Sequence, residues 1–383
     1  MDPISRQLEE KWMPALVATW RRVRGRRGPP GELSPAEVKE VGAAVRRLSL
    51  GLTRERELAG ARYMEDPRLL GAYLLFYWPV SYAQARRALE ELGGAPRKVL
   101  DLGSGPAPMA LAAADHGAAE VIAADRSAPA LEMARAIAGQ GGGALRTRRW
   151  DGLHGEGEAP DGTFDIVTIG HALNELWAGD EAASARRAQL LERLLGRVGP
   201  KGSLLVIEPA LRETSRDLLE VRDRLVDAGY AVRTPCLYRG GCPALEKASD
   251  WCHAQRPWTP PRVVQQIAGA AGLRKEALKM TALAIAPRGE GWPEHGPERL
   301  FRIVSEPLPS KGRLRYVGCG PEGRVGLAMQ ERHESPATRP FRSLARGDVI
   351  AVAGTEEKGD GLALGPEGAV RIVARAGEPI PGP

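Results

Sequence analysis

Cysteine is scarce in this chain: four residues among 383, none of them before position 236. That scarcity excludes a small disulfide-stapled fold, and in a reducing compartment it leaves free thiols, a bound metal or a cluster. Long apolar runs are missing as well. The most apolar segment, Leu69 to Val80, is too short to cross a bilayer and contains Pro79. The opening residues, MDPISRQLEEKW, are polar and mixed in charge, unlike a secretory leader. A cytoplasmic chain with no membrane partner is therefore expected. Internal repeats and long low-complexity tracts are absent. Ser, His and Asp are scattered without a nucleophile-elbow pattern, and His116, His154, His295 and His333 show no metal spacing.

What is present is ordinary for a globular protein of two or three domains: 43% hydrophobic, 27% charged, with 46 glycines and 31 prolines that point to many turns. A net charge of +6 suits an anionic partner. One basic run, Arg21, Arg22, Arg24, Arg26 and Arg27, ends a helix expected over residues 4–25; it reads equally as a solvated helix terminus or as a phosphate contact.

The stretch VLDLGSGPAPMALAA, residues 99–113, reads as strand, tight turn and helix. Gly103 and Gly105 let the backbone turn sharply and approach a ligand, and the following helix offers unpaired N–H groups. Asp101 closes the strand. About twenty residues past the glycines, Asp125 ends a second strand, where a carboxylate suits two ribose hydroxyls. Asp151 follows Trp150 after a third strand and reads equally as an acceptor for an adenine amino group or as an ordinary turn residue. Phe164-Asp165-Ile166-Val167 opens a fourth. This pattern resembles class I S-adenosylmethionine (SAM) methyltransferases, with a dinucleotide dehydrogenase as the rival. His171, Asn174 and Glu175 follow the fourth strand, where an acceptor would lie. They are the candidate catalytic residues, unless Asn174 and Glu175 merely begin a helix. Glu208 reads as a group that stabilises the loop after the fifth strand rather than as a base.

The expected architecture is α/β. A helical N-terminal region spans 1–95, with helices at 36–50, 67–77 and 80–93 and a Ser34-Pro35-Ala36-Glu37 start signal. A Rossmann-like, SAM-binding core spans 96–290 and carries a cysteine-rich insertion at 234–256. Its strands are expected at 97–101, 120–124, 144–149, 164–169 and 203–208, the last after the turn Gly199 to Gly202, with a late pair near 230–234 and 280–286. Helices are expected at 128–138 and 182–197. A β-rich or barrel-like region, 291–383, contains alternating segments 313–317, 325–330, 348–353 and 369–374 and supplies Cys319.

Cys236, Cys242 and Cys252 lie close together, and Cys319 stands apart in YVGCGPEG. Four thiolates suit a tetrahedral zinc ion or an iron-sulfur cluster, and the missing Cys-x-x-Cys knuckles weigh against zinc. His253 beside Cys252 suits a hydrogen bond to a cluster sulfur or a structural one. Trp251, Trp258, Arg256 and Arg262 suit either stacking on unpaired bases or shielding of a cluster.

Tyr63, the segment Arg68 to Pro79, DLGSGPA, HALNEL (171–176), VIEP (206–209), CLYRGGCP, DWCH and VGCGPEG stand in an order similar to the Rsm-type, methyltransferase-like proteins of the small ribosomal subunit. These include mitochondrial assembly factors and bacterial relatives, and the resemblance covers residues 36–330. It implies a [4Fe–4S] cluster on Cys236, Cys242, Cys252 and Cys319, and SAM held by Asp101, Gly103, Gly105 and Asp125. It also implies ribosomal RNA of the small subunit as partner, with the chain either a methyltransferase or a catalytically silent assembly factor. A small-molecule or protein methyltransferase with structural zinc is the alternative. Three departures stand out. Ala107 replaces the last loop glycine, no Asn/Asp-Pro-Pro-Tyr sequence follows the fourth strand, and no extra cysteine serves as a base-carbon nucleophile.

Overall fold

The computed structural model describes residues 1–53, 66–152, 160–359 and 361–382. Tyr63 and His154 lie outside them. Two sheets organise the chain. The first has the order β3-β2-β1-β4-β5-β8-β6, with β7 paired to β8. Strands β1 (Lys98–Leu102), β2 (Glu120–Asp125), β3 (Arg146–Arg149), β4 (Phe164–Gly170) and β5 (Val198–Pro209) run parallel. Strand β8 (Ala277–Ile285) lies antiparallel to β5, and β6 (Val232–Thr234) and β7 (Ala254–Pro257) both pair with β8. The order reverses between β1 and β4, the switch point at which doubly wound sheets hold ligands at their carboxyl ends. The chain has the Rossmann-like core expected of it.

Apolar runs buried on both faces explain the central strands: Val99, Leu100 and Leu102 are inaccessible to solvent, as are Val167 and Leu204 to Ile207. Helices α8 (Ala183–Leu195) and α9 (Arg212–Asp227) cover one face. On the other lie α6 (Pro108–Asp115), α7 (Ala128–Gln140) and α10 (Arg262–Ala271). The N-terminal helices join that second face: α1 (Pro3–Gln7), α2 (Met13–Val23), α3 (Pro35–Thr53), α4 (Pro67–Ala72) and α5 (Trp78–Leu92). Helix α1 runs into α2, and α4 into α5, through the π-helical turns Leu8–Trp12 and Tyr73–Tyr77.

Several local expectations shift. Ser34 and Glu37 form the reciprocal cap of α3, with Glu37 N–H donating to Ser34 Oγ (3.3 Å) and Ser34 N–H to Glu37 Oε2 (2.8 Å). The basic run is largely neutralised within the fold. Arg21 is buried on Glu37, and Arg24 and Arg26 both reach Glu40, which leaves Arg22 and Arg27 exposed. The turn expected at Gly199 to Gly202 is absorbed into β5, where the pairing with β4 slips and Lys201 takes a positive φ of 63°.

The second sheet closes on itself. Strands β9 (Leu300–Ile303), β11 (Arg313–Gly320), β12 (Gly323–Gln330), β13 (Val349–Lys358) and β14 (Gly361–Ala374) form a ring, and β10 (Leu308–Ser310) extends β11 as a hairpin. The ring runs β9-β11-β12-β14-β13 and back to β9, antiparallel everywhere except between β12 and β14. Phe301, Tyr316, Phe341 and Ile350 fill its interior. Strands β9 and β10 fell outside the alternating segments because they are too short for a periodicity to show.

Candidate functional site

The glycine loop sits at the switch point. Gly103, Gly105 and Ala107 all have positive φ, and Ala107, at φ 61° and ψ 42°, is the residue from which α6 begins. A β-carbon on Gly103 would meet the Ala172 methyl at 2.8 Å, so no larger residue fits there. Asp101 is buried beneath the loop. It accepts from Thr168 Oγ1 (2.7 Å) and from Ala110 N–H in the first turn of α6 (3.0 Å), which ties β1, β4 and α6 together. Burial pushes its carboxyl up to about 7. Asp125 accepts from Gly105 N–H and Ser127 N–H, each at 2.8 Å. It fastens the loop to the end of β2, and burial raises its pKa too. The backbone N–H of Arg126 also stabilises the charged carboxyl. Asp151, half-buried, follows Trp150, whose N–H donates to the Asp125 carbonyl (3.1 Å).

The acceptor-side residues are held by partners. His171, at φ 56°, pairs through Nε2 with Gln84 Oε1 (2.9 Å), and the Gln84 amide donates to the Lys279 carbonyl (2.9 Å). Burial pulls the imidazole down to about 4, so it is neutral and its Nε2 carries the proton facing Gln84. Asn174 donates through both its backbone N–H and its side-chain amide to Glu208. Glu208 is buried and raised to about 8 by desolvation; it holds the segment after β4 through Asn174, rather than the loop after β5 expected from the sequence. Buried Arg187 of α8 clamps the same segment, donating to Leu176 O (3.1 Å) and Asn174 O (2.9 Å).

Two residues of this site were not singled out from the sequence. Tyr73, in the π-helical turn, has its phenol surrounded by Asp125, Glu175 and Asp101; burial first and those carboxylates second raise its pKa far above the ordinary value. Trp78 donates its indole N–H to the Pro106 carbonyl in the loop (2.9 Å). The one usable signal was the aromatic run Tyr73 to Trp78 beside Pro79, which reads equally as core.

The four cysteines, 83 residues apart in sequence at the extremes of Cys236 and Cys319, line one cavity with about 70 Å³ of free space. Cys236 and Cys242 lie on the loop after β6, Cys252 precedes β7, and Cys319 projects from β11. Guanidinium groups hold these irregular loops by their carbonyls. Arg222 binds Tyr238 O (2.7 Å) and Gly240 O, and Arg216 binds Ala244, Lys247 and Asp250 carbonyls at 2.8–3.1 Å. Asp223 accepts Cys242 N–H. Burial, then the neighbouring sulfurs, pushes Cys242 and Cys319 up to about 12. Burial also raises Cys236, against the opposing pull of Arg222 and Arg302. Around the same cavity, Arg222 Nε, Arg302 Nη2 and His253 Nδ1 are buried without hydrogen-bond partners. Among the described residues no three His, Cys, Asp or Glu side chains are close enough to hold a single metal ion. Arg256 and Trp258 are buried rather than open to bases; Arg256 pairs with Glu91. Trp251 stacks on His253 (5.9 Å), and Arg262 is exposed on α10.

No helix among the described residues is long and apolar enough to cross a membrane. A family model described as mitochondrial small ribosomal subunit Rsm22 matches residues 69–323. None of the curated proteins matches in sequence. Among solved structures, the chain is similar to a methyltransferase from Pyrococcus furiosus (21% identity, 40% of this chain and 74% of that one, TM-score 0.33). It is also similar to a SAM-dependent methyltransferase from Mesorhizobium loti (17%, 54% and 97%, TM-score 0.33). A third is the ribosomal protein L11 methylase of Lactobacillus delbrueckii subsp. bulgaricus (15%, 55% and 77%, TM-score 0.31).

Proposed function

The chain belongs to the family of mitochondrial small ribosomal subunit Rsm22, and from that premise we propose that it acts on the small ribosomal subunit as a SAM-binding, [4Fe–4S]-holding assembly protein. The observation that carries this reading is the convergence of four distant thiols on one cavity beside a Rossmann-like core. Cys236, Cys242, Cys252 and Cys319 would hold the cluster. Their setting suits it: the thiolate-ligated cluster is anionic, and Arg222, Arg302 and Arg324 border the cavity with unspent donors on the first two. A single tetrahedral zinc would instead need sulfurs roughly 3.8 Å apart, from Zn–S bonds of about 2.3 Å. The cluster would supply a rigid, four-point covalent tie between the core and the barrel.

SAM would lie over Gly103 to Gly105, with its ribose at Asp125 and its adenine near Asp151. Commitment of His171 to Gln84 and of Asn174 to Glu208 favours binding over catalysis. A second reading, methyl transfer to ribosomal RNA, draws on Tyr73, whose phenol lies in the field of Asp125, Glu175 and Asp101. Transfer from a sulfonium needs mainly alignment of nucleophile and methyl group.

The test is iron, acid-labile sulfide and zinc content of anaerobically purified protein, with SAM binding measured by calorimetry. Four irons and four sulfides per chain, falling in Cys319→Ser, are expected. One zinc without sulfide overturns the cluster, and methylation of isolated small-subunit RNA moves the assignment to the second reading.

A further inference from the structure

The closed C-terminal sheet has an identifiable topology. Numbered within the ring, β9, β11, β12, β13 and β14 are strands one to five, and their order around it is 1-2-3-5-4-1 with strands three and five parallel. This is the five-stranded Greek-key barrel of the oligonucleotide/oligosaccharide-binding fold, whose ligands lie across strands two and three and the loop between strands one and two. Fold alone does not assign a ligand, so the face itself must.

Leu314, Tyr316, Leu327 and Met329 point into the barrel. The alternation therefore turns Arg313, Arg315, Val317 and Cys319 of β11 outward, opposite Gln330, Ala328, Gly326 and Arg324 of β12. The face has two halves. One end, Cys319 and Arg324, is docked on the core, where Arg324 pairs with Asp250 and donates to Trp251 O. The other end is open. Leu308 on β10 pairs with Arg315 and is 41% exposed, and Lys311 and Arg315 are exposed beside it. From Pro307 to Pro321 the chain has no acidic residue. Lys311, Arg313 and Arg315 form no ion pair among the described residues. Next to them Gly326 is exposed, with nothing within 4 Å of where a β-carbon would stand, and it pairs with Gly361 across β12 and β14. The middle of the face is thus bare backbone flanked by unpaired cations. No aromatic side chain stands on it, so the guanidinium planes are its stacking surfaces.

We propose that the open half of this barrel face, Leu308 to Arg315 with Gly326, binds single-stranded RNA, its phosphates on Lys311, Arg313 and Arg315. The choice of RNA rests on the ribosomal reading; the location does not. A strand lying there would run from the hairpin toward the thiol cavity, since Arg315 and Cys319 are on the same face of β11.

The experiment uses the full chain and fluorescence anisotropy with a labelled, mixed-sequence single-stranded RNA of about 12 nucleotides, and with its duplex. Lys311→Ala/Arg313→Ala/Arg315→Ala is compared with Arg22→Ala/Arg27→Ala, the two exposed cations of the N-terminal basic run. Melting curves establish that both variants fold. Expected are preference for the single strand, a loss of roughly tenfold or more in the barrel variant, and a salt-dependence slope lower by about 2, at ~0.7 per phosphate contact. Unchanged affinity in the barrel variant overturns the proposal, as does loss confined to the Arg22/Arg27 variant, or competition by polyglutamate equal to that by RNA. In those cases purified small subunits still bind if the ribosomal reading stands. Failure of the unaltered protein to bind small subunits overturns that reading instead.

Discussion

Single side chains at the switch point are held by more bonds than a ligand needs, and this sets what their replacement does. Asp125 is the clearest case, because the carboxylate that would meet a ribose also fixes Gly105. Asp125→Ala is expected to weaken SAM binding by at least tenfold; calorimetric titration with unchanged affinity would remove Asp125 from the site. Glu208 governs a pH effect. Its pKa is raised from 4.5 to about 8, so the folded chain holds a proton that the unfolded chain releases, and stability falls as pH rises through that interval. His171, depressed to about 4, acts in the opposite direction, but only below about 6.5. Asp101, raised to about 7, acts in the same direction as Glu208 up to that pH, so Glu208 stands apart between pH 7 and 8, where it accounts for about 1.4 kcal/mol. Glu208→Gln should flatten the denaturation free energy across that range; a wild-type slope in the variant would assign the effect elsewhere.

Elements explain why the N-terminal helices belong to the site. Asp115, at the end of α6, accepts from Lys11 (2.6 Å), from Trp12 Nε1 (2.7 Å) and from Tyr82 OH (2.7 Å), while Trp78 binds the loop at the other end of the same helix. Trp12, Trp78 and Tyr82 pack together with ring centroids 5.5–6.2 Å apart. The widened turn at Tyr73–Tyr77 directs Tyr73 toward the carboxylates, in keeping with the frequent use of π-helical turns at functional sites. Trp78→Phe removes one hydrogen bond, worth about 1 kcal/mol, and leaves space in a fully buried site. The melting temperature should fall and SAM affinity should drop about fivefold; a lower melting temperature with unchanged SAM affinity would mean that Trp78 serves the core alone.

Across the whole molecule, Glu91 joins the two sheets. From the end of α5 it meets Arg256 on β7, Arg302 on β9 (2.8 Å) and Thr234 before the first cysteine (3.2 Å). Burial works against its charge, but the two arginines outweigh it and hold its pKa low. Arg302 also donates to Pro235 O (2.8 Å) and stands opposite Cys319, so one carboxylate orients cysteine segments from both sheets. Glu91→Gln leaves two buried guanidiniums short of a counter-charge, at a cost of about 3–5 kcal/mol. Scanning calorimetry should show a lower melting temperature and a separate barrel transition. A single, unshifted transition would show that the sheets are coupled by packing instead.

Local chemistry made the Rossmann-like core legible in the sequence. Apolar strand runs, the glycines at positive φ and the acids closing β1 and β2 depend on neighbours only a few residues away. The same locality exposed the Ser34 and Glu37 cap and marked the four cysteines as unusual. Tertiary structure alone decided the rest. Whether a charge is buried and paired depends on residues far away in the chain, as with Arg21 on Glu37 and Arg256 on Glu91. The closing of short strands into a ring depends on pairing across as many as 51 residues, Leu300 with Ala351, which no periodicity records. Composition declared the scarce cysteines; only the packing of the barrel on the core brought Cys319 to the other three, because a contact between distant segments is set by the fold as a whole.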